Sequence, residues 1–315
     1  MLGLFGCQTT NPQQPNVDSN PAVSQFSATS ATQKPKVVVT NTVLCDLTKQ
    51  IAANTIDLIC LLTPGSDPHI YKITPAARKS IEEAKLVMYG GYNFEPELIK
   101  AIKASSNPAP KIAVYEVAIP QPQNFEEDGR STTDPHVWHN ARNGVKIAAT
   151  IGTSLEKLMP TQATTYQQNS RKLTTEIDRI DAWIKLQINT IPTDNKILFT
   201  THDALGYYSK AYRLPVEALE GISTEEKPTA AKARELVDKI GKTKVPTIYA
   251  EVTLNPQLIK SIAQAAKVKV SGQAIYADGL GTVDSQGGTY QKMLIANTKA
   301  IVEGLGGKYT PFVSK

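Results

Sequence analysis

The chain has 315 residues, too many for one average domain and comfortable for two. Apolar residues make up 41% and charged residues 20%, and the mean hydropathy is −0.25, which excludes both an integral membrane protein and a largely disordered one. The 34 basic and 29 acidic side chains leave a net charge of +5. They are scattered, without the run of basic residues that marks a nucleic-acid surface, and no apolar stretch is long enough to span a membrane.

Leu4-Phe5-Gly6-Cys7 has the form of a bacterial lipobox, a small residue ahead of a Cys that carries lipid. The basic start and full apolar stretch of a signal peptide are missing, which points to a truncated or misassigned start. Residues 8–35 are rich in Gln, Asn, Pro, Ser and Thr, with only Asp18 and Lys34 charged. Such a segment buries too little apolar surface to offset its ordering entropy and is predicted to be a flexible tether. The layout expected is a lipid on Cys7, a tether, and a folded body held at a membrane face.

Residues 36–40 are a β-branched run and predict a first strand; residues 43–53 carry apolar positions at helical spacing. A second strand is predicted over 56–62, a helix over 74–84 with Thr74 as its cap and Pro75 at its first position, and a third strand over 86–89. Residues 161–190 contain neither Gly nor Pro, and Tyr166, Ser170, Leu173, Ile177, Ile180, Ile184 and Ile188 recur at steps of three or four. This predicts one amphipathic helix of about 30 residues, about 45 Å long, a rigid strut between two lobes. Alternation then resumes: strands over 196–200, 245–250 and 267–271, and helices over 205–212, 229–240 and 289–305. The fold class is α/β, two lobes with parallel-type sheets joined by one long helix. The division is a lipobox and tether over 1–35, a first lobe over 36–160, the linking helix over 161–190 and a second lobe over 191–315.

Three Cys and four His complete the informative residues. No Cys-x-x-Cys and no zinc-finger spacing is present, so a metal site must draw on His and carboxylates. Cys45 and Cys60 read as two buried free thiols, a disulfide between them being the alternative in an oxidising compartment. Asp67-Pro68-His69-Ile70-Tyr71 and Asp134-Pro135-His136-Val137-Trp138 share one pattern. Proline restricts its own φ and the residue before it, so each imidazole is presented from a stiff backbone, with the following aromatic able to wedge the loop in place. His202 follows a predicted strand and precedes a helix, the place where open α/β sheets bind ligands. Three imidazoles suit Zn2+, and Asp278, ahead of Gly279, offers an anionic fourth donor. His139 is read as a surface residue or as a support behind a ligand.

In this order, with Val39-Thr40-Asn41-Thr42, Tyr89-Gly90-Gly91-Tyr92-Asn93-Phe94-Glu95, His202-Asp203-Ala204-Leu205-Gly206-Tyr207-Tyr208, Thr224-Glu225-Glu226 and Tyr276-Ala277-Asp278, the chain resembles the metal-binding solute receptors of bacterial ABC importers for zinc and manganese. The resemblance runs from about Lys36 to Leu305. It implies two (β/α) lobes with the metal in the cleft between them, and ligands at His69, His136, His202 and Asp278. It further implies an extracytoplasmic, lipid-anchored monomer that delivers its ion to an ABC permease with an ATPase subunit, and no enzyme. Manganese-type members typically carry Glu where this chain has His202, so Zn2+ is the expected cargo and Mn2+ the alternative. The alternative is kept because the segment before His136, residues 121–133, contains Glu126, Glu127 and Asp128 but lacks the His-rich loop of many zinc receptors. The expected affinity falls below about pH 6, where protons compete for imidazole.

Two rivals are weaker. A zinc hydrolase keeps an open metal position and a general base, whereas Asp278 fills the fourth place and no His-Glu-x-x-His occurs. Gly306-Gly307-Lys308 lacks the spacing and following helix of a phosphate-binding loop, and Gly279-Leu280-Gly281 lacks the third Gly of a dinucleotide fingerprint.

Overall fold

A computed structural model describes residues 1–10, 34–127 and 130–314. Two compact units divide the chain, Met1–Gln33 and Lys34–Lys315. In the first, residues 1–10 are exposed and form no regular element, with Cys7 an exposed thiol; most of the predicted tether lies outside the described residues. Asp128 also lies outside them.

The second unit begins with β1 (Lys36–Val39), α1 (Thr42–Ala52), β2 (Asp57–Cys60), α2 (Pro75–Glu83), β3 (Leu86–Tyr89), α3 (Pro96–Ala104), β4 (Lys111–Ala113) and α4 (Val114–Ala118). Thr74 caps α2 as predicted, accepting from Ala77 N at 3.1 Å. The four strands form one parallel sheet in the order β2-β1-β3-β4. Val37, Val39, Leu86 and Met88 enter the larger core, while Val38, Val87 and Tyr89 enter a smaller one with Ile81, Ile99 and Ile102 of α2 and α3. That alternation is the signature of a sheet covered on both faces.

A hairpin of β5 (Asn124–Glu127) and β6 (Arg130–Thr133) follows, then α5 (Ala141–Leu158) and α6 (Ala163–Asn189). The long helix has 27 residues, about 40 Å at 1.5 Å per residue. Its buried face holds the predicted residues except Ser170, which is half-buried, and adds Asp181 and Gln187. It is more than a strut: α6 lies along α5 and packs on α1 and α10. One hydrophobic core consequently runs through both lobes, from Val37 through Ile177 and Ile184 to Leu305.

The second lobe contains β7 (Leu198–His202), α7 (Gly206–Tyr212), β8 (Val216–Glu220), α8 (Ala230–Gly241), β9 (Thr247–Ile248), α9 (Gln257–Ala266), β10 (Lys269–Val270) and the closing α10 (Tyr290–Gly304). β7 pairs with β8 and β9 with β10, both parallel, and Tyr249 N donates to Phe199 O at 2.9 Å to join the pairs. The resulting order, β8-β7-β9-β10, repeats that of the first sheet.

Cys45 and Cys60 are not the buried free thiols expected from sequence; they form a disulfide. Parallel pairing of β1 with β2 brings the end of β2 beside α1, with a Cα–Cα distance of 5.8 Å, within the range a disulfide requires. Cys60 is exposed and Cys45 half-buried. Among the described residues no helix is long and apolar enough to cross a membrane.

Candidate metal centre

Both Asp-Pro-His segments fold alike. Asp67 Oδ1 accepts the backbone N–H of His69 at 3.0 Å, and Asp134 Oδ1 accepts that of His136 at 2.9 Å. The stiffness expected from proline is thus reinforced by an aspartate turn. The aromatic positions differ: Trp138 is fully buried and wedges its loop, whereas Tyr71 is only half-buried. Phe94 takes over beside His69, ring edge to face with centroids 5.3 Å apart, and also packs on His136 at 5.7 Å and Trp138 at 4.7 Å. It is aimed there by a turn in which Gly91, Tyr92 and Asn93 all have positive φ. Tyr92 is held in that conformation by its hydroxyl donating to Ile119 O at 2.5 Å and its N–H donating to Glu116 Oε1 at 2.9 Å.

His202 is the last residue of β7, at a strand C-terminal end as predicted, and fully buried. Asp278 lies three residues beyond the bridge between Ile275 and Glu251. Gly279 follows for reasons of close approach: a Cβ there would stand 2.6 Å from Thr42 Oγ1. The four side chains proposed from sequence come together, all buried, each offering a ligand atom within 4.8 Å of the others. His136 Nε2 is 3.3 Å from His69 Nε2 and 3.2 Å from Asp278 Oδ1, and Asp278 Oδ1 is 3.1 Å from His202 Nε2 and 3.6 Å from His69 Nε2. A tetrahedron of donors around Zn2+ has edges of about 3.4 Å, so the cluster has the dimensions of a metal site.

Carboxylates behind the ring set its orientation. Asp134 Oδ1 accepts from His136 Nδ1 at 2.9 Å. Glu251 Oε2 accepts from His202 Nδ1, while its Oε1 accepts the N–H groups of Thr201 and His202 at 2.9 and 2.8 Å. Both imidazoles therefore aim Nε2 at the cluster centre. Burial works against the imidazolium of His136, but Asp134 and Asp278 outweigh it and raise the ring above its ordinary value. Burial likewise opposes protonation of His202, and the charges of Asp278 and Glu251 overcome this to hold it well above. Burial would push the Asp278 carboxyl up, but charged His202 and the bonds from His136, His202 and His69 hold it well below the carboxylate range. The Asp278 charge thus favours protons on the facing imidazoles, the same field that would favour a divalent cation.

His139 is not a surface residue. It is fully buried, outside the cluster, and donates from Nε2 to Ala277 O at 2.7 Å; burial and the neighbouring charge of His136 lower its pKa to about 3, so the ring is neutral.

Residues 37–304 match the family described as zinc-uptake complex component A, periplasmic (ZnuA). The chain belongs to this family. Over 281 residues it is 33% identical to the manganese ABC transporter substrate-binding lipoprotein PsaA of Streptococcus mitis, covering 87% of this chain and 90% of that one. It is 31% identical to the metal ABC transporter substrate-binding lipoprotein SsaB of Streptococcus sanguinis, over 90% of this chain and 93% of that one. The periplasmic zinc binding protein TroA of Treponema pallidum superposes with a TM-score of 0.82 at 29% identity, over 86% of this chain and 99% of that one.

This ZnuA-family chain is accordingly a metal-binding substrate-binding protein of an ABC transporter, a receptor and not an enzyme. Its fold is that of the two-lobed relatives, with the His and Asp cluster in the cleft. Sequence reasoning missed Glu251 and the Phe94 wall. Glu251 stands one residue beyond the predicted strand 245–250, so the rule that found His202 at a strand end also applied to it.

Proposed function

We propose that this ZnuA-family receptor captures Zn2+ outside the cytoplasm with His69, His136, His202 and Asp278, and releases it to the permease of an ABC importer. The observation that supports it is the donor set: three imidazole nitrogens and one carboxylate, converging in a buried cleft with ring orientation enforced by Asp134 and Glu251. Nitrogen-rich, closed four-donor sites suit Zn2+ better than ions that prefer oxygen. On binding, Zn2+ displaces the protons on His136 and His202 and compensates the Asp278 charge. Because one core runs through both lobes and α6 lies within it, lobe motion is a small rocking and not a wide hinge. A lipid on Cys7 anchors the receptor, as a monomer, on the extracytoplasmic membrane face.

A second reading, Mn2+ as cargo, is favoured by one feature: Asp278 Oδ2 is buried and, among the described residues, meets no hydrogen-bond partner. A carboxylate free to bind through both oxygens adds the fifth donor that Mn2+ prefers. Elemental analysis of protein purified without chelator, followed by competition between Zn2+ and Mn2+, tests both. Zn2+ at one equivalent that excess Mn2+ does not displace is the expected result; displacement by Mn2+ establishes the second reading, and uptake of neither ion removes both.

A further inference from the structure

Asp278 belongs by sequence to the second lobe, yet the contacts of its loop change sides. Up to Tyr276 the chain is held by its own lobe: Ile275 N donates to Ala250 O at 2.8 Å, and Tyr276 is bonded through both N and O to the Asn297 side chain at 2.9 and 2.8 Å. One residue later the partner is His139, whose Nε2 donates to Ala277 O at 2.7 Å. Beyond Asp278, Leu280 N donates to Thr42 Oγ1 at 2.8 Å. Further on, Tyr290 N donates to Asp46 Oδ2 at 2.8 Å, and the Tyr290 hydroxyl to Trp138 O at 2.6 Å. Thr42 and Asp46 lie on α1; Trp138 and His139 lie on the turn after His136. His202, by contrast, is fastened to the second lobe through Glu251.

We infer that Thr42 and His139 are positioning residues that fix the Asp278 loop to the first lobe. The first lobe then presents His69, His136 and Asp278 as one preassembled three-donor face, and His202 is the donor that arrives and departs with the second lobe. The inference rests on the reading of the cluster as a metal site. Rigid presentation lowers the ordering cost of binding, so a cation loads on the three-donor face first and is enclosed when His202 joins. Gly279 agrees with this role, since any side chain there would displace the loop from Thr42.

The test is a cycle of full-length variants titrated with Zn2+ against a chromophoric chelator. Thr42→Val keeps the side-chain shape and removes the acceptor for Leu280; Thr42→Ser retains it. Thr42→Val is expected to weaken Zn2+ binding about ten-fold, Thr42→Ser to stay within about two-fold of the parent. The loss should persist in a His202→Ala background and vanish in an Asp278→Ala background, because Thr42 acts through Asp278 alone. His139→Phe reports the same grip from the other flank should Thr42→Val fold poorly. A Thr42→Val effect that is absent, or that is equal in the Asp278→Ala background, overturns the inference while leaving the metal site intact. A parent protein that takes up no Zn2+ overturns the underlying reading instead.

Discussion

Glu251 grips His202 at two points, taking the ring Nδ1–H on one oxygen and the backbone N–H on the other. Backbone and tautomer are thereby set by one carboxylate. In Glu251→Gln the two backbone donors of Thr201 and His202 keep the amide oxygen, so the amide NH2 faces Nδ1. The ring must then accept at Nδ1 and carry its proton on Nε2, the atom aimed at the cluster centre. A loss of roughly 10- to 100-fold in Zn2+ affinity is expected, with the fold retained; calorimetric titration beside a circular dichroism melt checks it, and unchanged affinity would show that Glu251 does not set the tautomer.

Proton competition extends to higher pH than the ordinary imidazole value implies. His136 and His202 are both raised above the ordinary imidazole value in the metal-free protein, so protons compete with an incoming cation at higher pH than they would at an unperturbed imidazole. Apparent Zn2+ affinity is therefore expected to keep climbing between about pH 6 and 8, not to level off near pH 6 as the sequence suggested. For the metal-free fold the signs are opposite for the two partners. The raised His202 stabilises below its unfolded value and loses this as pH rises through its folded value. Depressed Asp278 stabilises above its unfolded value and loses this as pH falls through its folded one. A metal-free melting temperature that peaks in mildly acidic buffer is the expected outcome of a pH series; one that rises steadily into alkali contradicts it.

Glu95 is a separate titrating group. It is fully buried at the start of α3, accepting from Thr40 Oγ1 at 2.5 Å and Gly90 N at 2.7 Å, and burial outweighs those bonds to raise it to about 7. A carboxyl raised on folding favours the native state at acid pH and loses that contribution as pH climbs towards 7. Glu95→Gln keeps an acceptor for both donors and cannot ionise. It should match the parent near pH 5 and exceed it at pH 8 by on the order of 2 kcal/mol in urea unfolding. Equal stability at both pH values would place the titration elsewhere.

The Cys45–Cys60 bond closes a loop with a sequence separation of 15, for which chain-entropy arguments assign about 3 kcal/mol. A Cys45→Ser, Cys60→Ser variant is expected to melt several degrees lower in the metal-free form. An unchanged melting temperature after reduction would refute this.

Legibility followed local chemistry. Helices announced by a cap were read well: Thr74, Thr229 and Thr289 each accept from the N–H three residues on. The four cluster residues were legible because two copies of one motif, a strand end and a Gly-flanked Asp each carry a local reason. Left unread in the sequence was α5, where Gly144 and Gly152 interrupt the apolar pattern; they are there because a Cβ would run into Tyr290 and Ser170 across the packed helices. The disulfide was left as the lesser alternative because it depends on the placement of β2 beside α1; Thr42 was missed, and the two readings of His139 stayed open, because their partners lie 238 and 138 residues away.

The twin Asp-Pro-His segments differ in the use of their second carboxylate oxygen. Asp134 turns it to Gln123 on its own side of the cleft at 3.0 Å, whereas Asp67 receives Thr224 from the opposite lobe at 2.7 Å. Neither atom of that bridge belongs to the four-donor cluster. Variation at Thr224 could thus alter how long a cargo is retained while leaving untouched which cargo is chosen, so dwell time and discrimination can diverge independently in descendants of this protein.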